Sequence, residues 1–258
     1  MKISIAAVVA IIGPLVAAPA ASAADPPPTV AAATSGNGER IKGSGRIVED
    51  RRALAGFVAV HLNGPINVEL KASDRDGVMV RTDDNIAPLI ETRVTGGERP
   101  ALEIGLTSGA SFRTARTPVV VVEFRALSEL VMRGSGDIRA DRLTAEDFAL
   151  SMSGSGDLRI DTLQATRLAA VLSGSGDLIV SGGRADDQAY RLSGSGDVSA
   201  GRVEGRRVQV SISGSGDAVV NASETLEAAI SGTGDIAYRG NARVTQRIRG
   251  TGSVHKLR

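Results

Sequence analysis

Six aspartates return at a nearly fixed interval: Asp137, Asp157, Asp177, Asp197, Asp217 and Asp235, each closing a Gly-Ser-Gly-Asp or Gly-Thr-Gly-Asp tetrapeptide. If the chain stacks them about 4.8 Å apart, neighbouring carboxylates repel by roughly 1 kcal/mol in water, and something must relieve that charge. A divalent cation such as calcium, or a basic partner, would do so, which makes this ladder the chain's ligand-binding candidate. The same carboxylates also suit a structural task, accepting hydrogen bonds from the amides of their own glycine corner and from the adjacent serines. Arg139 and Arg159 follow their Asp by two positions and so share its outward face, whereas Ile179, Ser199, Val219 and Ala237 hold that place later. The calcium-binding nonapeptide repeat, Gly-Gly-x-Gly-x-Asp, has about half this period and a residue between Gly and Asp. The motif therefore prescribes no metal, and no cofactor is expected.

Other reactive groups are sparse. Ser153, Ser173, Ser193 and Ser213, with Ser155, Ser175, Ser195 and Ser215, offer columns of hydroxyls, but a serine nucleophile needs a base. The only histidines are His61, read as an exposed strand residue, and His255, near the end. Asp74, Asp76, Asp83 and Asp84 form the one other acidic cluster and read as solvated turn charges. Glycan-cleaving enzymes want grouped carboxylates and aromatic faces for sugar rings, yet the chain has four Phe, two Tyr and no Trp. The residues favour a protein that is not an enzyme.

The elements that would position the ladder follow from the same repeat. The tetrapeptide starts at Gly134, Gly154, Gly174, Gly194 and Gly214, steps of 20, then at Gly232 and, as Gly-Thr-Gly-Ser, at Gly250, steps of 18. Apolar residues alternate before each glycine (Phe148, Leu150, Met152; Val208, Val210, Ile212) and after each Asp (Leu158, Ile160; Leu178, Val180). Period two means strands. Two short strands flank each glycine corner, with a second corner near Arg142 to Asp147, so about twenty residues make one circuit. No such unit buries its apolar face alone, so circuits must stack into a β-solenoid. Met132, Met152, Leu172, Leu192, Ile212, Ile230 and Ile248 are the predicted inward seam.

Residues 1–23 read as a secretory signal, with Lys2, the apolar run Ile3 to Ala18 and a cleavage site at Ala21-Ser22-Ala23. Cleavage after Ala23 leaves no stable membrane insertion and a chain destined for the periplasm, the cell surface or the medium. Loss of Lys2 from 30 Lys plus Arg leaves 29 against 29 Asp plus Glu, so bulk attraction to nucleic acid is not encoded. The absence of cysteine removes disulfides, thiolate metal sites and a lipidated N-terminal cysteine. Residues 24–40, with Pro26-Pro27-Pro28 and an Ala run, read as a flexible linker. From Ile41 a weaker repeat begins at Gly43-Ser44-Gly45 and continues twenty residues later at Gly64, which places Leu62 over Met152 and Asn67 in the Asp column. Residues 71–116 break the period and form wider coils or a hairpin over the solenoid's edge.

The serial Leu-Ser-Gly-Ser-Gly-Asp-Leu units, preceded by Leu62-Asn63-Gly64-Pro65-Ile66-Asn67-Val68, resemble the putative auto-transporter adhesin head GIN domain family over residues 41–258. The resemblance implies a right-handed single-stranded parallel β-helix on an exported bacterial protein. The signal, the repeats and the lack of catalytic groupings point to an adhesin-like or envelope binding module whose partner is an envelope or extracellular glycan or protein. Only eight residues follow Gly250, too few for an autotransporter's membrane barrel, so export by another route is expected. A carbohydrate-active lyase or hydrolase on the same scaffold and a purely structural spacer are the alternatives.

Overall fold

The computed structural model describes residues 40–258. The signal and nearly all of the linker expected from the sequence lie outside the described residues.

From Glu129 onward the chain winds as the expected β-solenoid. Strand Glu129–Gly134 lies parallel to the end of Ile138–Gly154, which lies parallel to Leu158–Gly174, and the stack continues through Gly183–Gly194, Val203–Ile212 and Ala218–Gly232 to Arg243–Gly250. The registers place Met132, Met152, Leu172, Leu192, Ile212, Ile230 and Ile248 directly over one another. All but the last are buried, and Ile248 is 39% exposed because no described rung lies beyond it. Each rung thus covers the apolar face of the one before, the condition that made stacking obligatory.

A coil has three strand segments rather than two. Between Ile138–Gly154 and Leu158–Gly174 the ladder is continuous except at Asp141 and Glu146, where the strand bends without breaking. The segment between the bends turns Leu143, Leu163 and Val203 inward as a third wall. Alternation hides such bends, because a strand that turns through one unpaired residue keeps its residue types.

Both corner glycines are required by close approach of the coil below, a Cβ at Gly154 standing 2.0 Å from the Gly134 carbonyl oxygen, and Gly154 has a second reason. Gly154 has φ +125°, which favours glycine on conformational grounds. Gly156 lacks that constraint, but a Cβ there would stand 2.1 Å from the carbonyl oxygen of Gly136 in the coil below. Ser155 N–H donates to the Gly134 carbonyl at 2.9 Å, so the corners bond to one another as well as touching.

The N-terminal region departs from this order. The rung formed by Ala59–Asn63 and Asn67–Ala72 pairs in the expected register, Leu62 with Met132 and Val68 with Ile138. Its opposite side is covered by Ala101–Leu106 and Val119–Phe124, which come later in the chain. The stack is then closed by antiparallel strands: Ile90–Val94 against Ala101–Leu106, and Gly77–Asp83 against Val119–Phe124, with Ile47–Arg52 outermost. Residues 71–116 therefore supply half of a coil, completed by Val119–Phe124, and its antiparallel cover. Gly43-Ser44-Gly45, expected as a first weak repeat, is not a rung of the stack. Side chains replace the missing coil there: Gly45 N–H donates to Asp83 Oδ1 at 2.6 Å and Ser44 N–H to Asn85 Oδ1 at 2.9 Å.

One coil carries a polar core. Tyr190, which follows Ala170 and precedes Val210 in its column, is fully buried and donates its hydroxyl to Gln188 Oε1 at 3.0 Å. Gln188 Nε2 in turn donates to the Ala185 carbonyl at 3.0 Å. Burial raises the phenol's pKa well above its ordinary value, so it stays a neutral donor.

Candidate functional site

The six aspartates stand in one line on the outside of the glycine corners. Each uses Oδ1 to accept the backbone N–H of the next ladder residue: Asp157 on Asp137 at 3.0 Å, Asp177 on Asp157 at 2.9 Å, Asp197 on Asp177 at 2.9 Å, Asp217 on Asp197 at 2.7 Å and Asp235 on Asp217 at 2.7 Å. Asn67 begins the series by accepting from Asp137 N–H at 2.9 Å. Ser253 ends it, giving both its N–H (2.7 Å) and its hydroxyl (2.9 Å) to Asp235. These two bonds hold the Asp235 carboxyl below the usual carboxylate range. The donors are thus the amides of the neighbouring coil, not those of each residue's own corner as the repeat suggested. Nor does Arg139 neutralise Asp137, since its guanidinium donates to Asp161 Oδ2 at 3.1 Å. Asn67 does the same work without charge, so the hydrogen-bond pattern needs an oxygen and not a carboxylate.

Among the described residues no three acidic, His or Cys side chains converge as a metal cage would require. The ladder offers one carboxylate per coil along a line rather than a pocket. Ser153 and Ser173 point their hydroxyls toward the Met132 and Met152 carbonyls, at 3.5 Å each. His61 Nε2 lies 3.2 Å from Glu129 Oε1, and Glu129 also faces Arg99 at 3.4 Å. The His61 hydrogen bond, offset in part by burial and helped by Arg99, lowers the Glu129 pKa.

Of the acidic cluster near residue 80, Asp74 is an exposed turn charge, whereas Asp76, Asp83 and Asp84 are tied to other segments. The Asp76 side chain is only 3% exposed; it accepts Gly56 N–H at 2.8 Å and takes the Arg125 guanidinium on both oxygens. Burial alone would raise its pKa, but the Arg125 and backbone hydrogen bonds outweigh that and lower it. Asp83 is buried and accepts the Thr114 hydroxyl besides Gly45, while Asp84 takes Ser44 and Arg46. These carboxylates pin separate segments of the N-terminal cap and do not share a site.

A second column escaped the sequence reading. Residues 147, 167, 187, 207, 225 and 243 are in register and read Asp, Arg, Asp, Arg, Thr, Arg. Arg167 grips Asp147 through both nitrogens, and Arg207 grips Asp187 with Nε to Oδ1 at 2.6 Å and Nη2 to Oδ2 at 2.7 Å. The signal was present as a sign alternation at the repeat period, visible only when the coils are written one beneath another.

Recesses deep enough to hold a ligand are open grooves. One, about 720 Å³, lies on the N-terminal cap between Arg51, Arg52, Lys71, Arg75 and Glu123. Its floor is an outward-facing apolar pair, Met79 directly opposite Val121, and the row continues to Arg51 on one side and Glu69 on the other. Arg75 is tied to Glu123 at 3.0 Å and Lys71 to Glu69 at 3.6 Å, so the walls are charged pairs around a dry strip.

This arrangement of glycine-cornered coils is also found by comparison. The model of the family described as putative auto-transporter adhesin, head GIN domain, matches residues 56–242. The chain belongs to this family. The family match takes in the whole stack from Phe57 to the coil before Arg243. A crystal structure of a putative adhesin from Bacteroides fragilis superimposes with a TM-score of 0.75 at 22% identity, over 84% of this chain and 100% of that one. A putative adhesin and a putative lipid binding protein, both from Parabacteroides distasonis, give TM-scores of 0.69 and 0.70; each is 24% identical over 85% of this chain and 100% of the other. At these identities the likeness is one of fold. No curated protein sequence matches the chain.

Proposed function

We propose that the protein is an exported, non-enzymatic binding module of the bacterial envelope or cell surface, presented by a signal at residues 1–23 and a linker at 24–40, with residues 41–258 as its binding domain. Its ligand is an envelope or extracellular glycan or protein. The observation that carries this reading is the groove on the N-terminal cap. There half-buried Met79 lies over Val121, itself only 6% exposed, between arginine and lysine walls on the irregular cap. An apolar strip between fixed charges is how a recognition surface combines affinity with orientation. Family membership supports the adhesin-like role, and among the described residues no serine hydroxyl is hydrogen-bonded to a histidine, since His61 faces Glu129.

The test is an array of envelope glycans and matrix proteins probed with the mature chain and with Met79→Asp. Retained folding with loss of the array signals supports the groove. Hydrolysis of an arrayed glycan, abolished by one carboxylate substitution, would make the protein an enzyme instead. N-terminal sequencing of secreted protein checks cleavage after Ala23.

A further inference from the structure

The last rung differs from every other in its charge. After Asp235 the chain contains no acidic residue but has Arg239, Arg243, Arg247, Arg249, Lys256 and Arg258. None of these six cations makes a salt bridge among the described residues, whereas of the ten arginines between residues 129 and 235 five are paired, Arg139, Arg167, Arg184, Arg206 and Arg207. Arg243 ends this column beside Thr225, so it lacks the acid that stands in register before Arg167 (Asp147) and before Arg207 (Asp187). Arg243, Arg247 and Arg249 project from one side of strand Arg243–Gly250, and Val244 and Ile248 from the other. That strand pairs only with Ala218–Gly232, and Val254–Lys256 only with Ile236–Arg239. One edge of each therefore carries unpaired backbone N–H and C=O groups.

We propose that this edge is a docking site for an extended acidic polypeptide segment, which adds to the sheet as a further parallel strand. Strand addition supplies the main-chain bonds, and alternate side chains supply selectivity. The register assigns that selectivity: acidic residues over Arg243, Arg247 and Arg249, and apolar residues over Val244 and Ile248, which would then be covered. The same arginines keep two such edges apart by like charge, so the site admits an acidic strand and refuses its own kind. A lipid surface fits less well, because the free amides and carbonyls of the edge would lose water without gaining partners. This site lies at the opposite end of the stack from the groove, so either can fail without the other.

The experiment uses the mature full chain and a fluorescent peptide, Asp-Val-Thr-Val-Asp-Val-Asp-Gly, with its Lys-for-Asp counterpart as control. Saturable binding of the acidic peptide at up to millimolar concentration is expected, with slowed amide exchange confined to residues 243–256. Combined Arg243→Glu, Arg247→Glu and Arg249→Glu should weaken the acidic peptide at least tenfold and transfer binding to the Lys peptide, a gain that a misfolded variant could not show. Absence of saturable binding, or binding without exchange protection of this strand, overturns the proposal. So does attachment to phosphatidylglycerol vesicles with the edge amides unprotected, which assigns the cations to a lipid surface. Protection of the same amides by self-association alone would assign the edge to a second copy.

Discussion

The regular coils and the N-terminal cap solve the same problem, satisfying polar groups against a neighbour, by opposite means. In the coils one residue type recurs and each copy serves the next: an Asp accepts from the amide of the following Asp, a glycine corner receives the following corner, and an inward Leu or Ile covers another. In the cap each group has a partner found nowhere else, as with Asp76 and Arg125, Asp83 with Gly45 and Thr114, or Arg52 with the carbonyls of Ile90 and Ala87. Repetition makes a coil's error local in sequence but unavoidable in space, because the neighbour is a fixed backbone. Unique pairing confines an error to one contact.

The comparison breaks most sharply at glycine. Gly156→Ala puts a Cβ against the Gly136 carbonyl, and the corner cannot move without its neighbours. A loss above about 4 kcal/mol, or failure to fold, is expected in denaturant titration. Gly96→Ala in the cap meets no atom within 4 Å and should change stability by less than about 0.5 kcal/mol. Leu172→Ala, in the middle of the inward seam, should cost about 2 to 5 kcal/mol. Ile248→Ala, 39% exposed in the same column, should cost well under half of that, measured in the same way. Equal losses would mean that the seam is covered at both ends.

Tyr190→Phe leaves Gln188 Oε1 without its donor in a dry core and should cost about 1 to 3 kcal/mol. The cap responds to pH through Asp76. Its folded pKa is lowered, so its stabilising effect is complete above the ordinary carboxylate range and is lost as pH falls through the folded value. Relative to the intrinsic exchange rate at each pH, the protection of amides at residues 73–79 should therefore fall on acidification in the wild type, and Asp76→Asn should flatten that dependence. The smallest effect is expected in the ladder. Asp197→Asn keeps an acceptor for Asp217 N–H, as Asn67 does for Asp137, and should leave the melting temperature unchanged. Asp197→Ala orphans that amide and should cost about 1 kcal/mol. Millimolar calcium should not raise the melting temperature of either; an increase in the wild type that Asp197→Asn removes would turn the ladder into an ion site.

The solenoid was legible because its signal is cumulative: Met132 to Ile248 share one column, and alternation around each corner could only be strand. What the period did not carry was contact along the stack. The aspartates' donors sit in the adjacent coil, a displacement that a single repeat cannot express, and the Asp147 to Arg207 alternation has twice the repeat's period. In the cap, the turn residues of 71–116 marked strands but not their direction. That Ala101–Leu106 lies outside Ala59–Asn63 depends on long-range pairing, which residue types near either strand do not encode. Asp76 looked like a surface turn because its arginine is 49 positions away.

The inverted order of the first rungs has a temporal consequence. Residues 59–72 emerge, from the ribosome or from an export channel, before either neighbour of that rung, one of which is complete at residue 124 and the other at residue 140. Until then the nascent segment has no lasting partner. Afterwards each new turn finds a finished template waiting, so the slow step of assembly is concentrated at the beginning and the remaining turns are added one by one.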